Sequence, residues 1–241
     1  MQRFAGKLAV VTGATRGIGR AIAERLIAEG ADVVGTSTSS ADGLPKGARH
    51  EAVRFDDPAS TARFCERLAA LGAHVLVNNA GIALPQTAEE LTEEDLRRVH
   101  EINLLAPIRL CQAAAGPMKR HGWGRIVNVT SIWGPMSRVA RGNYASTKSG
   151  LDGFTGVLAA ELAPHGVLAN CIAPGYTETE LIKKIFAGDK LKALADTVPM
   201  RRLAQPGEIA AFVAWLASAD NGYLTGQNIL IDGGLSRLRE V

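Results

Sequence analysis

The chain has 241 residues, 46% of them apolar and 21% charged, with a net charge of +3. That is enough for one large α/β domain with a core on both faces of a sheet. The near-balanced charge, with no run of five like charges, excludes nucleic acid as the expected partner. No stretch approaches the ~20 apolar residues of a membrane helix, and the first residues carry no secretory pattern, so no membrane association is expected and the cytosol is the expected compartment. Cys65, Cys111 and Cys171 lie far apart and read as small buried hydrophobes. The five histidines form no HxxxH or HxH pair, so no metal site is expected.

Strand and helix patterns alternate along the chain. Leu8–Thr12 is a short apolar run and predicts the first strand. Gly17–Glu29 has helical periodicity, with Ile18, Ile22, Leu26 and Ile27 on one side and Gly30 as its C-terminal cap. Asp32–Thr36 predicts a second strand. Ser37–His50, rich in Ser, Gly and Pro, predicts a loop. Ala52–Phe55 predicts a short third strand, Pro58–Leu71 a helix ended by Gly72, and His74–Val77 a buried strand. Leu91–Lys119 reads as one long helix bent at Pro107. Arg125–Thr130 predicts a strand, Tyr144–Leu162 a helix with Pro164 beyond it, and Val167–Ile172 another strand. Glu178–Ala195 is helical between breakers, Pro206–Ser218 is a helix with Pro206 near its start, and Asn228–Ile231 is the last strand. Continuous apolar strands separated by helices predict an α/β fold, a doubly wound (Rossmann) parallel sheet with helices on both faces. With no linker or repeat, one domain spans 1–241. Such sheets bind ligands at the C-terminal ends of their strands.

The first strand runs into Thr12-Gly13-Ala14-Thr15-Arg16-Gly17-Ile18-Gly19. Glycines there let the backbone turn sharply and approach a ligand, and the following helix offers unpaired N–H groups to a pyrophosphate. The spacing is GxxxGxG, and alone it also fits a glycine-rich turn with no ligand. Tyr144 and Lys148, four apart, fall on one helix face. An ammonium beside a phenol favours the phenolate and suits proton exchange with an alcohol or carbonyl oxygen, although the pair alone also fits an ordinary helix surface. The surroundings add weight. Ser131 ends a strand, Asn78-Asn79-Ala80-Gly81 follows another, Pro174-Gly175 a third, and Asn103 interrupts a helix that it favours poorly.

These motifs, in this order and with Asp232-Gly233-Gly234, resemble the short-chain dehydrogenase/reductase family over Lys7 to Gly234. The resemblance implies that Tyr144 is the general acid in reduction and base in oxidation. Lys148 would lower the Tyr144 pKa and hold the nicotinamide ribose, and Ser131 would bond the substrate oxygen. Asn103 would hold a water linking Lys148 to solvent, with a helix bend freeing a backbone group for it. Gly13, Thr15, Arg16, Gly17, Ile18 and Gly19 would hold the pyrophosphate end. Asn79 and Ala80 would line the adenosine ribose, Gly81 would let the backbone come close, and Pro174, Gly175, Thr177 and Thr179 would contact the nicotinamide end. The family often has an Asp and an apolar residue after the third strand to hold adenine. Here Arg54 and Phe55 fall there, and Phe55 and Asp56 are assigned the role.

The second strand ends Val34-Gly35-Thr36-Ser37-Thr38-Ser39, without the carboxylate that bonds a ribose 2′-hydroxyl in NAD-preferring members. Hydroxyls such as Thr38, with Arg16, suit a 2′-phosphate, so NADP(H) is expected rather than NAD(H). Within the family the likeness is greatest to 3-oxoacyl-acyl-carrier-protein reductases, which implies a carrier-bound acyl substrate. The two arginines that dock the carrier there fall at Gly122 and His165 here, and Lys119, Arg120, Arg138 and Arg141 are other sources of charge. A small free ketone or alcohol is the rival substrate, and a non-catalytic dinucleotide-binding sensor the rival class. Trp133, Pro135 and Met136 fall near the expected substrate mouth. Leu181, Ile182, Ile185 and Phe186 fall in a segment, 177–200, that either closes over substrate or packs the flap down. The resemblance also implies a homotetramer, with contacts from the long helices and from Ile229 to Leu238.

Overall fold

The computed structural model describes residues 2–237. Seven strands form one parallel sheet: β1 (Leu8–Val11), β2 (Asp32–Ser37), β3 (Arg49–Ala52), β4 (Val75–Asn78), β5 (Gly124–Val129), β6 (Val167–Pro174) and β7 (Asn228–Ile231), in the order β3-β2-β1-β4-β5-β6-β7. Strand side chains alternate between faces, and β1 divides accordingly: Val10 enters one apolar cluster, Ala9 and Val11 the other. Helices α1 (Gly17–Ala28) and α8 (Pro206–Leu216) cover the Val11 face. Helices α2 (Pro58–Leu71), α4 (Ala106–His121) and α5 (Gly142–Leu162) cover the other. Burial on both sides is why β1 is an unbroken apolar run and why β4, β5 and β6 are mainly apolar, their Asn78, Arg125, Asn128 and Asn170 being buried with them. The chain leaves β1 toward β2 on one side and returns to β4 on the other. The strand order therefore reverses at β1/β4, which opens a crevice above their C-terminal ends.

Three expectations are corrected. The third strand is Arg49–Ala52, paired with Val34–Ser37, and not Ala52–Phe55. It is an edge strand that needs no apolar stripe, so its polar sequence hid it. Val53 and Phe55, which drew attention to the wrong stretch, leave the strand to pack into the core. The long helix Leu91–Lys119 is α3 (Glu93–His100), one π-helical stretch (Glu101–Leu105) and α4. Pro107 has no N–H to give the Asn103 carbonyl four residues back, and the ladder widens there, with Ala106 N–H reaching Glu101 O. Finally, Glu178–Ala195 is two short helices, α6 (Glu180–Ile185) and α7 (Asp189–Asp196), broken at Gly188 with φ 57° and ψ −130°.

One buried charge ties the lower edge of the sheet together. Arg125 is 5% exposed and donates to four backbone carbonyls, those of Gly124, Gly166, Ser218 and Asn221. Burial lowers its pKa to about 10. No helix of the described residues is long and apolar enough to cross a membrane.

Candidate active site

The turn after β1 is held from within. Thr12 Oγ1 accepts from the N–H groups of Asn79 and Ala80 at 2.9 and 3.0 Å, and Gly13 N–H donates to Thr36 Oγ1 at 3.2 Å. The Asn79 amide donates to the carbonyls of Thr12 and Gly13 at 2.9 and 3.2 Å. Asn79 was expected at the adenosine ribose; it lines the cavity, and its amide N–H groups clamp the turn. A Cβ at Gly19 would overlap the Gly13 carbonyl oxygen and the Asn79 amide, so only glycine lets α1 start so close to β1. Gly17 has φ +53°, a conformation that side chains with a Cβ resist.

These contacts leave an anion cradle. No side chain caps the start of α1, so the first N–H groups of that helix point into the crevice without a side-chain acceptor. The crevice is a cavity of about 560 Å³, within the range of small-molecule sites. It is lined by Gly13, Thr15, Arg16, Gly17, Ile18, Gly19, Thr38, Phe55, Asp56, Asn79, Ala80, Gly81 and Thr179, all expected from the sequence. Uncapped helix N–H groups, close-packed glycines and a cavity of this size fit the pyrophosphate of a dinucleotide.

The far end of the cavity carries residues that were not expected. Ser40 and Asp42 line it beside Ser37, one of the expected strand-end hydroxyls, with Ser40 Oγ donating to Asp42 at 2.9 Å. Arg98 comes from α3 and lies 3.8 Å from the Asp56 carboxylate, which also accepts from Arg54 at 3.2 Å. The hydrogen bond from Arg54 is the main cause that holds the Asp56 carboxyl below its usual range. No local pattern marks Arg98 or Asp42 as site residues; packing brings them there.

The reacting end sits above β5 and at the start of α5. Ser131 is 7% exposed, and its Oγ accepts from Trp133 N–H at 3.2 Å. Its hydroxyl lies near enough to the Tyr144 phenol to favour the phenolate. Lys148, 4% exposed and one turn further along α5, donates from Nζ to Val129 O at 2.8 Å and lies 5.5 Å from the Tyr144 ring centroid. Burial lowers the Lys148 pKa to about 8.

The Tyr144 pKa was expected below that of a free phenol. It lies above, because burial outweighs the opposing influences of the nearby Ser131 hydroxyl and the Arg141 charge. The Lys148 ammonium is committed to a carbonyl under the ring and not to the phenol oxygen. Tyr144 is therefore a protonated O–H beside a second O–H donor, an arrangement ready to give a proton to a carbonyl oxygen.

Asn103 is fully buried and makes a two-way clamp. Its Oδ1 accepts from Ile82 N–H at 2.9 Å, and its Nδ2 donates to Ile82 O at 2.8 Å. The clamp holds the chain just after Gly81, where a Cβ would meet Asn103 Oδ1 at 3.2 Å and Lys148 Nζ at 3.6 Å. Pro174 closes β6, and its carbonyl accepts from Ile132 N–H at 3.3 Å, which sets it beside Ser131. Gly175 passes so close to Asp232 that a Cβ would lie 2.8 Å from its Cα. Thr177 is 4% exposed and bonds back to Gly175 O, and Thr179 caps α6.

Lys119 and Arg120 do not reach this end within one chain. They precede β5, whose six residues span ~20 Å before Ser131. Among the described residues no group of three His, Cys, Asp or Glu side chains is placed to hold a metal ion.

A family model described as enoyl-(acyl carrier protein) reductase matches residues 13–236. The chain belongs to the short-chain dehydrogenase/reductase family. It is 39% identical over 240 residues to a 3-oxoacyl-acyl-carrier-protein reductase of Escherichia coli, covering 96% of this chain and 98% of that protein. It is 36% identical to the reductase of that name from Aquifex aeolicus, over 97% and 98% of the two chains. A solved structure titled a gluconate 5-dehydrogenase from Beutenbergia cavernae with bound NADP superposes with a TM-score of 0.92 at 34% identity, over 99% of this chain and 100% of that one. One titled a 2-deoxy-D-gluconate 3-dehydrogenase from Agrobacterium tumefaciens with bound NADP gives 0.89 at 32%, over 98% and 99%. As a short-chain dehydrogenase/reductase, the chain is an NAD(P)-dependent oxidoreductase that acts on CH–OH groups and the corresponding carbonyls.

Proposed function

We propose that this protein reduces the 3-oxo group of an acyl thioester with NADPH. The observation that carries the reading is the pair of hydroxyls, Ser131 and Tyr144, placed near one another at the reacting end with the buried Lys148 ammonium 5.5 Å from the Tyr144 ring centroid. Two O–H donors side by side suit a carbonyl oxygen that gains charge as it is reduced. Relatives named 3-oxoacyl-acyl-carrier-protein reductase support the substrate class. NADP in two neighbours' titles, together with Arg16, Thr38 and the hydroxyls after β2, supports NADP(H) over NAD(H).

When bound, the dinucleotide supplies the hydride. The residues of the chain do the rest. The turn from Gly13 to Gly19 and the first N–H groups of α1 hold the pyrophosphate. Ser131 orients the substrate oxygen, and Tyr144 gives it a proton. Lys148 contributes its ammonium beneath the phenol and toward the ribose, and Asn103 keeps the Gly81–Ile82 chain in place below them. The segment 177–200, with Ile185 57% exposed and Val198 buried as its anchor, closes over the substrate and excludes water.

The test follows NADPH, then NADH, with acetoacetyl-CoA as substrate and crotonyl-CoA as the double-bond control. Consumption of NADPH with acetoacetyl-CoA alone is expected, falling about 10²- to 10⁴-fold in Tyr144→Phe. No consumption with either cofactor removes the thioester reading. A second reading, oxidation of a small free hydroxy acid, is favoured by the sugar-acid dehydrogenase titles of the solved neighbours.

The protein acts as a homotetramer in the cytosol on this reading. Exposed apolar side chains on the long helices (Leu105, Val157) and around the last strand (Tyr223, Leu230) support the assembly. Leu238 of the expected C-terminal contact lies outside the described residues. Light scattering is expected to give four chains, and a monomer refutes it.

A further inference from the structure

Between Ser131 and Tyr144 runs a segment whose charge the catalytic reading does not use. Arg138 donates from Nη1 to the Tyr176 hydroxyl at 2.7 Å, and its guanidinium carbon lies 5.4 Å from the Trp133 ring centroid. Trp133 and Tyr176 meet edge to face, 6.0 Å between centroids. Trp133 gives its N–H to Ser131 Oγ, and Tyr176 directly follows Pro174-Gly175. Arg138 thus bridges the two loops that bound the reacting end of the cleft.

Its partners among the described residues, a phenol and an indole face, are both uncharged. A guanidinium has five donors, and here it is exposed, oriented and not neutralised. Arg141 adds a second cation on the same side, near enough to bear on the Tyr144 phenol. The carbonyl of Ala140, between the two arginines, is held by Gln86 N–H at 3.2 Å, which steadies the segment.

We propose that Arg138 is a specificity residue that reads an anionic group, phosphate or carboxylate, on the same substrate molecule whose oxygen lies at Ser131 and Tyr144. The proposal rests on the reading of this site as a carbonyl–alcohol oxidoreductase. A phosphopantetheine arm carries a phosphate and a hydroxy acid carries a carboxylate, and both oxyanions match the fork of a guanidinium.

Two matched pairs test it: acetoacetyl-phosphopantetheine against acetoacetyl-pantetheine, and 3-hydroxybutyrate against its methyl ester. In at least one pair the anionic member is expected to have the higher kcat/KM, by about 10- to 100-fold. Arg138→Met is expected to bring that ratio close to one, with Arg138→Lys retaining part of it. The pair that responds identifies the anion. An Arg138 role confined to packing lowers both members alike and leaves the ratio in place; that result overturns the proposal, as does the absence of any preference in the native protein. If none of the four compounds turns over, the thioester reading fails separately. Calorimetry on the NADPH-loaded protein then decides, with phosphopantetheine against pantetheine and 3-hydroxybutyrate against its ester. A preference for the anion that Arg138→Met removes supports the proposal, and equal binding in both pairs overturns it.

Discussion

Lys148 is expected to weaken the fold that it serves, and Lys148→Met is expected to make the protein more stable while abolishing turnover. The side chain is 4% exposed and has one hydrogen bond, to Val129 O. Burial moves its pKa from 10.5 to about 8. At about 1.4 kcal/mol per unit, the buried ammonium costs about 3 kcal/mol at pH 7. The methionine variant removes that cost but leaves the Val129 carbonyl without its donor, which returns about 1–2 kcal/mol. A net gain of about 1–2 kcal/mol is therefore expected at pH 7.

The pH dependence has a definite sign. Between pH 8 and 10.5 the unfolded chain holds the lysine proton and the folded chain does not. Native stability therefore rises with pH through that window, relative to the variant, and the advantage of the variant shrinks and then reverses. Urea unfolding of both proteins without cofactor, at intervals from pH 7 to 10, measures this. A variant less stable than the native protein at pH 7, or two curves that stay parallel across the window, refutes the reasoning.

Two further outcomes are expected. Asn103→Ala takes both partners from the half-buried Ile82 N–H and carbonyl, and urea unfolding should report a loss of about 2 kcal/mol; a loss below about 1 kcal/mol counts against the clamp. Arg16→Ala should raise the Kd for NADPH about tenfold in fluorescence titration and change that for NADH much less, and equal weakening of both shows that Arg16 does not touch the 2′-phosphate.

Much of this protein was legible in its sequence because the responsible physics is local. The strand–glycine turn–helix unit at residues 8–28 follows from apolar runs and glycine placement. Tyr144 and Lys148 share a face because four residues make roughly one helical turn. The parallel sheet follows from strands apolar on both faces. Tertiary structure alone decided the rest. The third strand could not be found by hydropathy, because an edge position asks nothing of its side chains. Arg98 and Asp42 join the cofactor cavity from elements with no common pattern. The direction of the Tyr144 shift was reversed, because the Tyr–Lys spacing brings the ammonium near the ring but says nothing of the burial around it. That burial is imposed by groups distant in the chain, and desolvation is a property of the assembled site.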